Sequence, residues 1–213
     1  SVRYPIGTSD RLLPMGPDLD ETLEIFGQQS VGVTTPFVFC YSLPDTVDFP
    51  AIISTLESGL RRLTDGFPWV AGKVINQGKT EVNSGVFKIK HGWDTPRLFV
   101  KDHRDNVRAP TMQSLSEARF PVSMLPESIF SPINVLPTDP DQDRSPVFVV
   151  QINRIEGGLL LAIIGNHQAL DGTGQEQLSY LLNKACNGLP FSEDELRIGN
   201  LSRSTIVMPL DDS

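Results

Sequence analysis

Val147-Phe148-Val149-Val150-Gln151-Ile152-Asn153, then Leu159-Leu160-Leu161-Ala162-Ile163-Ile164 running into Gly165-Asn166-His167-Gln168-Ala169-Leu170-Asp171-Gly172, is the stretch that decides the fold of this 213-residue chain. The second run is apolar at every position, so a strand formed from it must be covered on both faces and belongs in the middle of a sheet. The first run precedes it by only a few residues, and Glu156-Gly157-Gly158 between them suits a tight hairpin turn. Beyond Gly172 a helix is predicted to about Ala185, with Leu178, Leu181, Leu182 and Ala185 facing inward and Gly188 and Pro190 as stop signals. Ser192-Glu193-Asp194-Glu195 has the spacing of a capping box that opens one more short helix.

Upstream, Thr34 to Ser42 is rich in β-branched and aromatic residues and predicts a strand, with Pro36 near its start or at an edge. Asp48 caps the clearest helix, and Pro50 is tolerated in its first turn. Phe49, Ile52, Ile53, Leu56, Leu60, Leu63 and Phe67 then recur at helical spacing, opposite a charged face. Phe67-Pro68-Trp69-Val70-Ala71-Gly72 ends that helix and enters a strand to about Ile75. Further strands are predicted at Val86 to Lys90 and Arg97 to Lys101, and a short helix at Thr111 to Arg119. Residues 1 to 30 read as an irregular lead-in with a helical piece near Glu21 to Phe26. Residues 134 to 146 are crowded with Pro and Asp and read as a solvated loop. The sum is an α/β (α+β) domain, a mixed β-sheet with flanking helices. Those helices are expected to cover one face of the Leu159–Ile164 strand well and to leave the other to a partner.

Composition narrows the chemistry. The formal net charge of −8 repels phosphate backbones and anionic membranes, so neither nucleic acid nor membrane is an expected partner. Two cysteines, Cys40 and Cys186, make neither a disulfide framework nor a zinc site; they read as small hydrophobes in a reducing, cytoplasmic compartment. No G-x-S-x-G elbow, phosphate-binding G-x-x-x-x-G-K-[ST] loop or complete dinucleotide fingerprint is present. No metal is expected, because His167 and Asp171 lack a third ligand nearby in sequence. Of the three histidines, His91 and His103 lie in polar stretches and read as surface residues.

His167 differs because it follows the most apolar strand and precedes a helix, where a rigid base presents functional groups. A neutral imidazole there has the properties of a general base near pH 7. The plainer reading is a buried histidine hydrogen-bonded at a strand end. Asp171, four residues on, either orients the imidazole directly or points away, pairs with an arginine and fixes the turn that presents the histidine.

His167-Gln168-Ala169-Leu170-Asp171-Gly172 resembles the HxxxDG motif of the BAHD acyltransferases, which recurs in chloramphenicol acetyltransferase-like enzymes and condensation domains. Phe67-Pro68-Trp69-Val70-Ala71-Gly72 resembles the Pro-x-x-Ala-Gly segment of that family's first domain. Trp69 to Gly72, Lys101-Asp102 through Asp105, and Gly174-Gln175 are most similar to fungal trichothecene 3-O-acetyltransferases and their relatives. The resemblance implies a chloramphenicol acetyltransferase-like domain over residues 1–200, the first of two, with 201–213 beginning the crossover to the second. It implies acyl-CoA, with acetyl-CoA foremost, as co-substrate, a small-molecule alcohol as acceptor, and no permanently bound cofactor. It implies that His167 is the catalytic base. Asp171 is structural, a buried carboxylate paired with an arginine of the other domain, and Gly172 permits a close turn. The family's Asp-Phe-Gly-Trp-Gly motif is absent from these residues, so the chain looks like the N-terminal half of an enzyme that needs its C-terminal half as partner. Two other readings stand beside this one. One is a binding domain that catalyses nothing. The other is a condensation-type domain acting on carrier-protein substrates, disfavoured because Asn166 stands where such domains carry a second histidine.

Overall fold

A computed structural model of the chain describes residues 18–29, 32–44, 46–136 and 145–203. The apolar run becomes β8 (Gly158–Asn166), longer at both ends than the hydrophobic stretch, and it occupies the interior of a four-stranded sheet. Its neighbours are β2 (Thr34–Ser42) and β7 (Phe148–Ile155), both antiparallel to it, and β5 (Arg97–Asp102) runs parallel to β7 on the outer side. The sheet is therefore mixed, in the order β2-β8-β7-β5. The β7–β8 turn is two residues long, between Ile155 and Gly158, with Gly157 at φ +72°, where a residue with a Cβ is disfavoured.

Both faces of β8 are covered from within this chain, which corrects the expectation that only one would be. Leu160, Ala162 and Ile164 pack toward α2 (Met112–Glu117) and α3 (Glu127–Phe130) through Met112, Leu115 and Phe130. Leu159, Leu161 and Ile163 pack toward α1 (Phe49–Gly66) and α4 (Gly172–Cys186) through Leu56, Leu60, Leu63, Leu178 and Leu182. The segment from 103 to 133 was underrated from sequence because α3 is four residues long and shows no periodicity of its own. Among the described residues, coverage of the α1/α4 face thins toward both sheet edges, where Phe39 and Tyr41 of β2 and Val100 of β5 remain exposed.

Helix α1 starts where its cap predicts, with the Asp48 side chain accepting from Ala51 N. It lies against α4 so closely that a Cβ on Gly59 would run into Cys186 Sγ. The Phe67–Gly72 segment forms a short 3₁₀ turn before β3 (Lys73–Gln77). A second, antiparallel sheet has the order β1-β4-β3-β6, with β1 at Asp20–Thr22, β4 at Val86–Lys90 and β6 at Ser145–Pro146. Helix α5 (Glu193–Gly199) carries the predicted capping box, closed by Ser192 and Glu195.

Three local readings change. Asp20–Thr22 is a strand rather than the start of a helix, because its backbone pairs with β4, and the helical piece is a 3₁₀ turn at Ile25–Gln28 capped by Glu24. The 134–146 stretch is tied down at its ends: Val135 N donates to Glu127 Oε1, its carbonyl accepts from Thr34 N, and Ser145-Pro146 pairs with β3. Residues 137–144 of that stretch lie outside the described residues. His91 is exposed as expected, whereas His103 is half-buried and its Nε2 is enclosed without a hydrogen-bond partner. Cys40 and Cys186 are free and half-buried, and burial pushes both thiols above their ordinary range.

Candidate active site

His167 stands one residue past the end of β8, whose last pair is Asn166 with Thr34. Its side chain is exposed, so the alternative of a buried, structural histidine does not describe it. Its backbone is fixed: His167 N donates to Val33 O at 2.8 Å, carrying the β2–β8 ladder one step beyond the strand.

The four residues that follow wind around Asn166. The Asn166 side-chain oxygen accepts from Gln168 N at 2.9 Å, and its carbonyl accepts from both Ala169 N and Leu170 N. This is an Asx-type turn, a conformation that asparagine favours because its short side chain reaches the backbone two residues on. Asn166 is buried and its Nδ2 has no hydrogen-bond partner. Gln168 turns inward, its Nε2 donating to Gly27 O at 3.2 Å and Gln29 O at 2.6 Å, which ties the turn to the lead-in segment. Leu170 enters the main core at 5% exposure. The imidazole is thus exposed on a turn anchored from its inner side.

Asp171 is turned to its own helix rather than to the imidazole. It is the N-cap of α4, with Oδ1 accepting from Gly174 N at 2.7 Å, and no hydrogen bond joins it to the His167 ring. Its side chain is exposed within this chain. Gly172 opens α4 beside it, and a Cβ there would meet nothing within 4 Å. The described residues thus leave the surface over His167, Asp171 and Gly172 uncovered.

Gln175 was not picked out as a site residue by its own chemistry. It is buried in the first turn of α4, donates to Thr35 O and Ile163 O, and accepts from the Thr35 hydroxyl at 2.7 Å. It pins the start of α4 to both strands beneath His167. Gln168 and Gln175 escape pattern reading because hydrophobic periodicity marks apolar positions only. A glutamine on a helix's inward stripe is the signal that could have found the second.

An apolar groove of about 780 Å³ opens elsewhere, on the α1/α4 side at β2, lined by Phe39, Tyr41, Leu161, Ile52 and Tyr180 among others. It includes none of His167, Asp171 and Gly172. Among the described residues no three His, Cys, Asp or Glu side chains come together to hold a metal, and no helix is long and apolar enough to cross a membrane.

With this geometry in view, residues 33–186 match the trichothecene 3-O-acetyltransferase-like N-terminal domain. An O-acetyltransferase of a Cryptosporiopsis species is 48% identical over 198 residues, 92% of this chain and 43% of the relative. Trichothecene 3-O-acetyltransferase TRI101 of Fusarium sporotrichioides is 43% identical over 193 residues, 88% of this chain and 42% of the relative. The crystal structure of that protein complexed with coenzyme A and T-2 superposes with a TM-score of 0.86 at 42% identity, over 92% of this chain and 45% of the other. TRI101 of F. graminearum complexed with coenzyme A and deoxynivalenol gives 0.87 at 39% identity, over 92% and 44%. The chain spans less than half the length of these relatives.

Proposed function

The chain belongs to the trichothecene 3-O-acetyltransferase-like N-terminal domain family, a chloramphenicol acetyltransferase-like α+β fold, and we propose that it supplies the general base for acyl transfer from acyl-CoA to a hydroxyl. His167 is the proposed base. Its neutral imidazole takes the proton of the acceptor hydroxyl as that oxygen attacks the thioester carbonyl. The tetrahedral intermediate then collapses with cleavage of the C–S bond, and the imidazolium returns the proton to the departing coenzyme A thiolate. The observation that carries this reading is the exposed imidazole on a turn whose backbone is fixed at Val33 and whose next side chain is buried. Fixed backbone beneath an accessible ring is what positions a base for reaction, and is not needed by an ordinary surface histidine.

Acetyl-CoA is the proposed donor and a small fungal secondary metabolite with a free hydroxyl the proposed acceptor, because the relatives are named for O-acetyl transfer and were crystallised with coenzyme A and trichothecenes. In this reading residues 1–200 form the first of two domains and 201–213 begin the crossover, of which 204–213 lie outside the described residues. The second domain, of similar fold, would cover the open surface over His167 and provide most of the coenzyme A site. The unpaired cysteines support a reducing, cytoplasmic location.

The test is transfer from acetyl-CoA to deoxynivalenol by the full-length polypeptide, followed by product mass. His167→Ala is expected to lower turnover by about a hundredfold or more, with thermal stability unchanged. A variant that keeps most of its activity removes His167 from the mechanism and leaves a binding domain as the reading.

A further inference from the structure

We propose that Arg203 is a positioning residue for His167, clamping the outer side of the 167–170 turn through the Ala169 carbonyl. This rests on the reading of His167 as the base and adds a residue to that site. Arg203 Nη2 donates to Ala169 O at 3.3 Å, two residues beyond the histidine. The guanidinium lies over the Trp69 ring, 4.3 Å from its centroid. Trp69 is itself fixed, 7% exposed with its indole N–H donating to Gly199 O at 2.8 Å. The far side is held by Glu21, a carboxylate 6% exposed: Oε1 accepts from the Ser202 hydroxyl at 2.9 Å and from Arg203 N at 2.5 Å.

Three parts of the sequence therefore meet at one residue, two of them at its side chain and one at its backbone. They are the β1 strand through Glu21, the Phe67–Gly72 segment through Trp69, and the HxxxDG turn through Ala169. The Phe67–Gly72 segment, conspicuous in sequence but without a role in the proposed chemistry, becomes the platform on which the arginine stacks. Burial pushes the guanidinium pKa down to about 10, against the opposing pull of Glu21 and Glu24, so it stays charged at neutral pH. A charged donor makes the stronger hydrogen bond to a carbonyl. A planar guanidinium can stack and donate at once, which an ammonium cannot. Inside the turn Asn166, Gln168 and Leu170 anchor the chain; outside, among the described hydrogen bonds, Arg203 is the side chain that reaches a backbone group of residues 167–170.

The experiment is run on the full-length polypeptide with Arg203→Met, which keeps an unbranched apolar stem and removes the charge and donors. Two measurements are paired: amide hydrogen exchange of the peptide spanning residues 166–171, which needs no acceptor, and steady-state kinetics with acetyl-CoA and deoxynivalenol. Exchange of that peptide is expected to accelerate. The kcat is expected to fall by about tenfold or more, since small displacements of a reacting group carry penalties of that order, while KM for acetyl-CoA stays within about twofold. Arg203→Lys is expected to recover part of kcat, because it restores the charge and a donor without the stacking. If Arg203→Met does not fold, Arg203→Lys decides, and wild-type exchange and kcat in that variant overturn the proposal. Unchanged exchange in Arg203→Met shows there is no clamp. Faster exchange with unchanged kcat shows that the clamp does not position the base. An active His167→Ala sinks the general-base reading on its own, and the exchange result still judges the clamp.

Discussion

At Asp171 the carboxylate hydrogen-bonds the first turn of α4, and this sets the scale of what its loss would do. An exposed N-cap contributes about 1 kcal/mol, with extremes near 0.5 and 2. Asp171→Ala is therefore expected to lower stability to urea by about that amount, and Asp171→Asn or Asp171→Ser by much less. A loss several times larger would mean that the carboxylate is buried and paired in the full-length protein, as the resemblance implies. The position of His167 was legible because an uninterrupted apolar strand ending in a polar turn before a helix has few other meanings. The residues that hold it were not. Gln168 and Gln175 are polar side chains serving backbone groups from segments more than a hundred residues away, and local pattern carries no trace of such pairings.

Among elements, α1 and α4 were readable from a helical period sustained over many turns, and β2 and β8 from nine-residue strands dense in β-branched, aromatic or aliphatic side chains. β1, β6 and α3 are two to four residues long, and pairing or packing with distant segments makes them what they are. The α1–α4 contact is where a small change should matter most. Gly59→Val would drive side-chain atoms into Cys186 and is expected to cost about 1–3 kcal/mol, the range for overpacking. Cys186→Ala should return part of that cost in the double variant, and strictly additive losses would show that the two helices do not touch there. Helix α5 is fastened by Lys184, whose Nζ lies 2.7 Å from Glu195 Oε2. The hydrogen bond from Lys184 holds the Glu195 carboxyl below its ordinary value of 4.5, helped by the Ser192 backbone. A lowered carboxylate pKa stabilises the fold fully above the unfolded value, and the gain disappears as pH falls through the folded one. Stability measured from pH 6 down to pH 3 should thus fall less steeply in Glu195→Gln than in the parent, and parallel curves would exclude the pair as a source of acid sensitivity.

As a whole, the molecule buries its central strand on both faces yet leaves Phe39 37% and Tyr41 46% exposed beside an apolar groove. Apolar surface gathered in one place marks a contact more often than scattered residues do. The isolated 213-residue chain is expected to bind a hydrophobic dye and to show no acetyl transfer. Tyr180→Arg, at the rim of the groove, should reduce the dye signal without lowering the melting temperature. Dye binding unaffected by Tyr180→Arg would place the sticky surface elsewhere, and full transfer by the isolated chain would show that no second domain is needed. In the full-length polypeptide the proposed interface between domains should be of the permanent kind, on the order of 2,000 Å² or more. The pairing of β2 with β8 also has a consequence in time. Thr34 is made long before Asn166, its partner in the ladder. At roughly 5–20 residues per second, the ribosome takes on the order of ten seconds to travel between them. Throughout that interval Phe37-Val38-Phe39 is a sticky nascent segment with nothing to pair with. β2 thus leaves the ribosome well before the strand that completes its ladder, the order of events in which unpaired apolar segments are prone to aggregate.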